Sequence, residues 1–516
     1  MSSPIGDFGG DVGVCDVTDA SRRRPVAVPS AASAGPVALR RKIGLWRGVA
    51  VLVGTIVGSG IFISPSGVLR HAGSPGWALV VWLACGLLSL LGALSYAELG
   101  TTYRKSGGHY IYLLETLGPA PAFLRLWTEF IIVRPAITAV VALACGRYAL
   151  APVFSPCPPP LLAVQLVTAL AVTLVVVVNA WSVSWTARIQ TVLVAVKLGA
   201  IALIAVPGLV HIARGHTENF VGAFEVPPER SVGTLPLALY AGMFAYAGWF
   251  CCCCCCFRFY MNFITEEVKS PERTLPLAIC ISMAIVTASY LVMNVAYLAV
   301  LSEPAILASP AVAMNFAEKT LGSFSTIIPI LVSLSCLGSM LGGFFASARM
   351  FFVASRESHW PRLFSMIHVR RHTPLPAVLL LYPLLLCMVF VGDVYSLLHF
   401  CSAPRWLFMG LVTLGLVRQR LLSPGTPRPF RVPLLVPATF TLCCLCMVLA
   451  SLYADPVNVG VGFLITLTGV PVYALTASPW GRRLRRRWRC ADRLLARLTV
   501  EMQLLLEVVP QEVVTY

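Results

Sequence analysis

Gly54-Thr55-Ile56-Val57-Gly58-Ser59-Gly60-Ile61-Phe62 lies inside an apolar stretch that runs from about residue 44 to residue 69. Three glycines in so short a run weaken a continuous helix, because each costs about 1 kcal/mol relative to alanine. One reading is close packing against a neighbouring helix through small residues. The other is an unwound segment at mid-membrane, with backbone groups turned toward a ligand, as in carriers built from inverted repeats. The second reading demands a matching interruption five helices later. The sixth apolar stretch supplies it in Phe244-Ala245-Tyr246-Ala247-Gly248-Trp249, a glycine beside aromatics. Two interruptions at matching positions of two five-helix halves predict a 5+5 inverted repeat with broken helices 1 and 6.

Composition places this pattern in a membrane. The 516 residues are 58% hydrophobic and only 12% charged, too few charges to cover a soluble domain. Apolar runs of about 20 residues recur between short polar loops. They predict an all-α membrane protein with about twelve spans, near residues 44–69, 77–99, 119–151, 160–181, 187–212, 234–263, 275–302, 323–355, 375–392, 395–417, 433–453 and 457–477. The expected organisation is a disordered cytoplasmic tail over 1–42, a transmembrane domain over 43–478 and a basic amphipathic tail over 479–516. The first tail is rich in Ser, Ala, Gly, Pro and Val and has no apolar core of signal-peptide length.

The net charge of +17 is distributed unevenly. Arg22–Arg24, Arg40–Lys42, Arg104, Lys105, Arg188, Lys269, Arg273, Arg356, Arg362, Arg370, Arg371, Arg418, Arg420, Arg428, Arg431 and the run Arg482–Arg489 fall on one side, against Arg70, Arg214, Arg230 and Lys319 on the other. The positive-inside rule then makes both termini cytoplasmic. It also accounts for the basic balance without nucleic acid. The tail from Trp480 to Leu498 is expected to lie on anionic lipids of the inner leaflet.

Two arginines interrupt apolar spans: Arg134 in WTEFIIVRPAITAVV and Arg405 in SLLHFCSAPRWLFMG. A charge at bilayer depth costs several kcal/mol and marks a function by default. Two such cations with few acids predict an anionic ligand that binds guanidinium bidentately. The competing readings are an Arg134–Glu129 pair or helix-end carbonyls for Arg134, and a topology charge near the cytoplasmic face for Arg405. Most of the 18 cysteines lie in apolar spans as small core residues or in the run Cys251–Cys256. Cys157 sits outside, in FSPCPPP, and is either a free surface thiol or one half of an intermolecular bridge. No nucleophile–base set, phosphate loop or metal-ligand spacing stands out, so neither an enzyme nor a cofactor or metal site is expected. The chain contains no Asn-x-Ser/Thr sequon.

Several stretches resemble the light chains of heteromeric amino acid transporters. They are GTIVGSGIFISPSGVL (54–69), LSYAELGTTYRKSGGHY (94–110), SVSWTARIQ (182–190), FAYAGW (244–249), NFITEEVKSPERTLPLAICISMAIVT (262–287), SMIHVRRHTPLPAV (365–378) and GFLITLTGVPVY (462–473). The similarity runs from about Leu39 to Val508-Val509-Pro510. EFIIVRPA, SARM-FFVASRE and Arg405-Trp406 resemble the cystine/glutamate-exchanging branch of that family.

The resemblance implies a LeuT-type fold in the plasma membrane. It implies sodium-independent exchange of extracellular anionic cystine for intracellular glutamate, with neutral amino acid exchange and a non-transporting relative as alternatives. It also implies a disulfide from Cys157 to a single-pass glycoprotein heavy chain. N–H groups near Ser59, Gly60 and Ile61 are expected to bind the α-carboxylate of an amino acid, with help from a half-helix dipole. Carbonyls at Ile56, Val57 and Phe244 are expected to accept from the α-ammonium. By resemblance, Arg134 and Arg405 read a distal carboxylate and Tyr246 is a pocket aromatic. Lys197 stands where sodium-dependent relatives hold an ion, with a structural tether as the alternative.

Three departures stand out. Cys251–Phe259 (CCCCCCFRF) reads as nine residues inserted after the sixth-span interruption, about 13 Å of helix if helical. It is a gene-model artefact, a looped-out bulge, a palmitoylated patch or, least in keeping with its spacing, a metal site. Pro404 before Arg405 is expected to kink the tenth helix. Leu341 stands where the family has an asparagine.

Overall fold

The first apolar stretch is one span in composition but three helices in structure. α1 (Leu45–Ile56) stops, α2 (Gly60–Ile63) restarts, and α3 (Pro65–Ala72) follows after Ser64. Gly73, with φ at 84°, closes α3 in a left-handed cap. These elements belong to a computed structural model that describes residues 45–103, 108–154, 157, 159–225, 235–246, 271–309, 311–357, 359–371, 373–391, 394–476, 478 and 489–510.

Helix starts carry ordinary signals. Ser74 accepts from the Trp77 N–H at 3.4 Å and is followed by Pro75, opening α4 (Pro75–Thr102). After α5 (His109–Thr116) and α6 (Pro119–Thr128) the helix widens into a π segment, Glu129–Val133, and continues as α7 (Arg134–Phe154). Pro135 supplies the cause. It lacks an N–H, and the Arg134 N–H bonds back to the Glu129 carbonyl instead.

α8 (Leu161–Trp181) and α9 (Val183–Ala213) follow, then α10 (Leu235–Ala245), α11 (Pro271–Val300), α12 (Glu303–Ala308), α13 (Val312–Leu321) and α14 (Ile327–Arg356). The remaining helices are α15 (Leu375–Leu380), α16 (Tyr382–Val391), α17 (Val394–Leu422), α18 (Leu435–Ala454), α19 (Pro456–Leu467), α20 (Gly469–Thr476) and α21 (Arg489–Leu506).

Eight helical stretches among the described residues are long and apolar enough to cross a membrane. They are 75–102, 119–154, 161–181, 188–213, 276–300, 327–356, 435–453 and 456–476, and two shorter apolar helices cover 235–245 and 375–390. α17 continues through Pro404, which lies inside the helix rather than ending it. Outward-facing Leu166, Leu170 and Leu174 of α8 and Leu442 and Leu449 of α18 are what a lipid-facing surface requires.

The core forms where α11 packs on α1, α4 and α9, and where α14 packs on α7 and α9. One element departs from the all-helical expectation. β1 (Met366–His368) pairs antiparallel with β2 (Val508–Pro510), Ile367 opposite Val509, and so ties the C-terminal segment to the loop after α14.

Candidate functional site

Val57, Gly58 and Ser59 form the gap between α1 and α2. The glycines around it do different work. A Cβ on Gly54 would collide with the Val194 side chain of α9, so Gly54 serves close helix packing. A Cβ on Gly60 would strike the backbone of Ala245, the last residue of α10. Gly58 has room, its nearest neighbour being Ser339 Oγ at 3.7 Å. Close packing through a small residue is thus seen at Gly54, and the helix is interrupted over Val57–Ser59. Gly60 is the point where the interrupted first span touches the end of α10. Residues from Ala247 onward, including the Cys251–Phe259 run, lie outside the described residues.

One side chain joins the two helix ends. The Tyr290 hydroxyl of α11 lies 3.3 Å from the Ile56 carbonyl and 3.1 Å from the Ala245 carbonyl. Carbonyls at the ends of α1 and α10 thus converge within reach of a single donor. Val57 and Ile61 are buried beside the gap. Phe244 sits one residue before Ala245 and is buried too. Tyr246 is fully buried, with its hydroxyl donating to the Trp82 carbonyl at 3.1 Å and its ring packed on Tyr290 and Trp82.

Ser339 of α14 forms a second junction. Its Oγ accepts from the Ser59 backbone N–H and from Lys197 Nζ of α9, each at 3.2 Å, and donates to the Ser335 carbonyl at 3.1 Å. Lys197 is buried, and Ser339 connects it by hydrogen bonds to the unwound segment.

The arginines form a third group. Glu129, at the π segment, pairs with Arg134 at 2.7 Å and with Arg125, one helical turn earlier, at 2.5 Å. The Arg134–Glu129 pairing considered from sequence is therefore realised. Arg125 is 1% exposed and its guanidinium stands 5.7 Å from the Phe408 ring of α17. Arg405, half-buried and three residues before Phe408, lies within electrostatic reach of Glu129, Arg125 and Arg134. The Arg134 Nη1 atom also lies within 3.6 Å of where a Cβ on Gly343 of α14 would be. Two guanidinium groups thus pair with one carboxylate, and a third lies within electrostatic reach.

Sequence reading missed Arg125, Tyr290 and Ser339. Arg125 was detectable, since Arg-x₃-Glu places the two charges on one helix face. Tyr290 and Ser339 are ordinary residues of apolar helices, and only the fold reveals their partners. His109 opens α5, is buried, and its Nδ1 lies 2.8 Å from the Tyr96 hydroxyl.

A family model described as amino acid permease matches residues 43–476. The chain belongs to the amino acid permease family. It is 54% identical to the human cystine/glutamate transporter over 477 residues, 92% of each chain. It is 41% identical to the mouse large neutral amino acids transporter small subunit 2, over 93% of this chain and 88% of that one. It is 38% identical to the human b(0,+)-type amino acid transporter 1, over 92% and 94%.

In this permease Cys157 is exposed just beyond α7, its N–H bonded to the Phe154 carbonyl at 2.8 Å. Away from the arginine cluster, Glu98 at the end of α4 is wholly buried. It takes Arg420 Nε of α17 at 2.8 Å, a second contact from Arg420 Nη2, and the Val432 N–H at 3.0 Å. Among the described residues no group of three His, Cys, Asp or Glu side chains is placed to hold a metal.

Proposed function

We propose that this chain is an amino acid antiporter that exchanges extracellular anionic cystine for intracellular glutamate, without sodium, by alternating access. The reading rests on one observation above the others: Arg125 and Arg134 pair with Glu129 inside the helical bundle, and Arg405 lies within electrostatic reach of all three. Such a cluster keeps an excess of positive charge in a medium of low polarity, where an anion is the natural complement. Arg405 and Arg134 read the distal carboxylate, and the Ser59–Ile61 segment takes the α-carboxylate. The converging carbonyls at Ile56 and Ala245, close to Val57 and Phe244, mark where the α-ammonium is accepted, and Tyr246 walls the pocket.

Lys197 supplies, as a fixed charge, what a sodium ion supplies elsewhere. The proposed frame is twelve spans in a LeuT-type inverted repeat, with both termini cytoplasmic in the plasma membrane. A single-pass glycoprotein heavy chain joins through Cys157. Anionic cystine inward for glutamate outward moves no net charge.

The Arg134–Glu129 pair favours one alternative. If that pairing occupies Arg134 throughout the cycle, the carrier exchanges neutral amino acids. The test is uptake of labelled cystine, in sodium-free medium, into proteoliposomes that hold this chain with its heavy chain and are preloaded with glutamate. Glutamate-dependent cystine uptake that falls about tenfold or more in Arg405→Ala and Arg134→Ala is expected, since each removes a charge-assisted pair. Leucine uptake that both variants leave intact would replace the proposal with the neutral exchanger.

A further inference from the structure

A cavity of about 440 Å³ opens where the C-terminal segment meets the loop between α14 and α15, and none of the residues that line it belongs to the proposed transport site. His368, Arg370, Arg371 and Leu375 line one wall, and Leu505, Leu506 and Glu507 the other. The β1–β2 pairing holds the two walls together, reinforced by the Val369 N–H donating to the Glu507 carbonyl at 3.0 Å.

Three features give this cavity a chemistry. Its polar side chains are two guanidiniums, one imidazole and a single carboxylate, a net positive lining. His368 Nδ1 accepts from the Arg370 N–H at 3.1 Å, so the neutral ring carries its proton on Nε2 and is a donor there. Arg370 stands 3.8 Å from the Glu507 carboxylate and is 82% exposed, so a stronger anion can draw it away.

Position supplies the rest. The Arg371 guanidinium lies 4.3 Å over the Trp181 ring, and Trp181 ends the apolar helix Leu161–Trp181 with its ring largely exposed. A tryptophan at a span end sits at headgroup level. α21 exposes Val500, Leu504 and Leu505, of which Leu505 lines the cavity, an apolar face of the kind that lies on a membrane surface. Glu507 is the only non-glycine residue with positive φ among the described residues, at 48°. A left-handed glutamate is costly, and strain of this kind gathers at ligand sites.

We propose that this cavity binds a phosphate monoester, supplied by the headgroup of an anionic lipid whose acyl chains lie along Leu504 and Leu505. Arg370 and Arg371 take the phosphate oxygens, and His368 contributes its Nε2–H. Glu507 opposes binding and sets its strength. The site rests on the membrane-surface position of the α8 end and α21, and is independent of what the carrier transports.

The full chain with its heavy chain, in phosphatidylcholine nanodiscs, is titrated with a dioctanoyl phosphatidylinositol phosphate, with the soluble inositol phosphate, and with dioctanoyl phosphatidylcholine. Saturable binding of the first is expected, about tenfold weaker in Arg371→Ala. Glu507→Gln, which keeps the side chain's size and removes its charge, is expected to bind more tightly, so the site stays testable even if an arginine variant folds poorly. Soluble inositol phosphate binding as tightly as the lipid would keep the phosphate site and make its source cytosolic. Phosphatidylcholine binding equally well, or Glu507→Gln and Arg371→Ala both matching the unaltered protein, would overturn the proposal.

Discussion

Gly60 is held by geometry. Its missing Cβ is what lets the restarted first span lie against the Ala245 backbone, and a backbone cannot swing aside as a side chain can. Gly60→Ala is therefore expected to abolish exchange while the protein still reaches the membrane. Gly58→Ala, with open space around it, is expected to keep a substantial fraction of wild-type uptake. Uptake normalised to surface-labelled protein separates the two, and equal loss in both would refute the packing account.

His109 carries a second prediction at this scale. Burial, then the fields of Arg125, Arg405 and Arg134, hold its imidazole well below the ordinary value of 6.5. The folded protein keeps this ring neutral, whereas the unfolded chain takes up a proton below about pH 6.5. The contribution to stability is therefore complete above that pH and is lost as pH falls below it. Thermal midpoints measured between pH 7.5 and 5 should fall for the unaltered protein and fall less for His109→Gln. Parallel curves would remove His109 from the account.

Among elements, much was legible. The glycine run marked the first-span interruption, and apolar lengths marked most spans. What escaped depended on distance in sequence. Glu98 reads as one acid at the end of an apolar helix, yet it is the buried partner of Arg420 and of the Val432 backbone, more than three hundred residues away. Periodicity describes a helix by its own residues, and this pairing belongs to two elements at once.

Glu98→Gln tests the strength of that tie. It leaves Arg420, which is 4% exposed, buried without its counter-charge, a loss of about 3–5 kcal/mol for a pair broken from one side. A markedly lower thermal midpoint is expected, with partial recovery when Arg420→Met is added. No loss in the single variant would show that the pair adds nothing to stability.

For the molecule as a whole, the fixed charges bear on how the two directions of transport are linked. Lys197, Arg125, Arg134 and Arg405 stay with the protein in every state, whereas a bound sodium ion can leave. An empty carrier must rearrange around these cations without an anion, and a loaded one rearranges with part of that charge neutralised. Under the proposed transport of anionic substrates, the difference favours the loaded passage in both directions, and obligatory exchange is the expected consequence. Ser339 links Lys197 to the Ser59 N–H, so the fixed charge is felt at the segment proposed to bind substrate. Two outcomes follow for proteoliposomes preloaded with labelled glutamate. Efflux should be slow into substrate-free buffer, rise several-fold when cystine is added outside, and be unchanged when choline replaces sodium. Lys197→Ala should raise the slow efflux relative to the exchange, because it removes charge from the empty carrier. Fast efflux into empty buffer from the unaltered protein, or dependence on sodium, would break the link between the fixed charges and exchange.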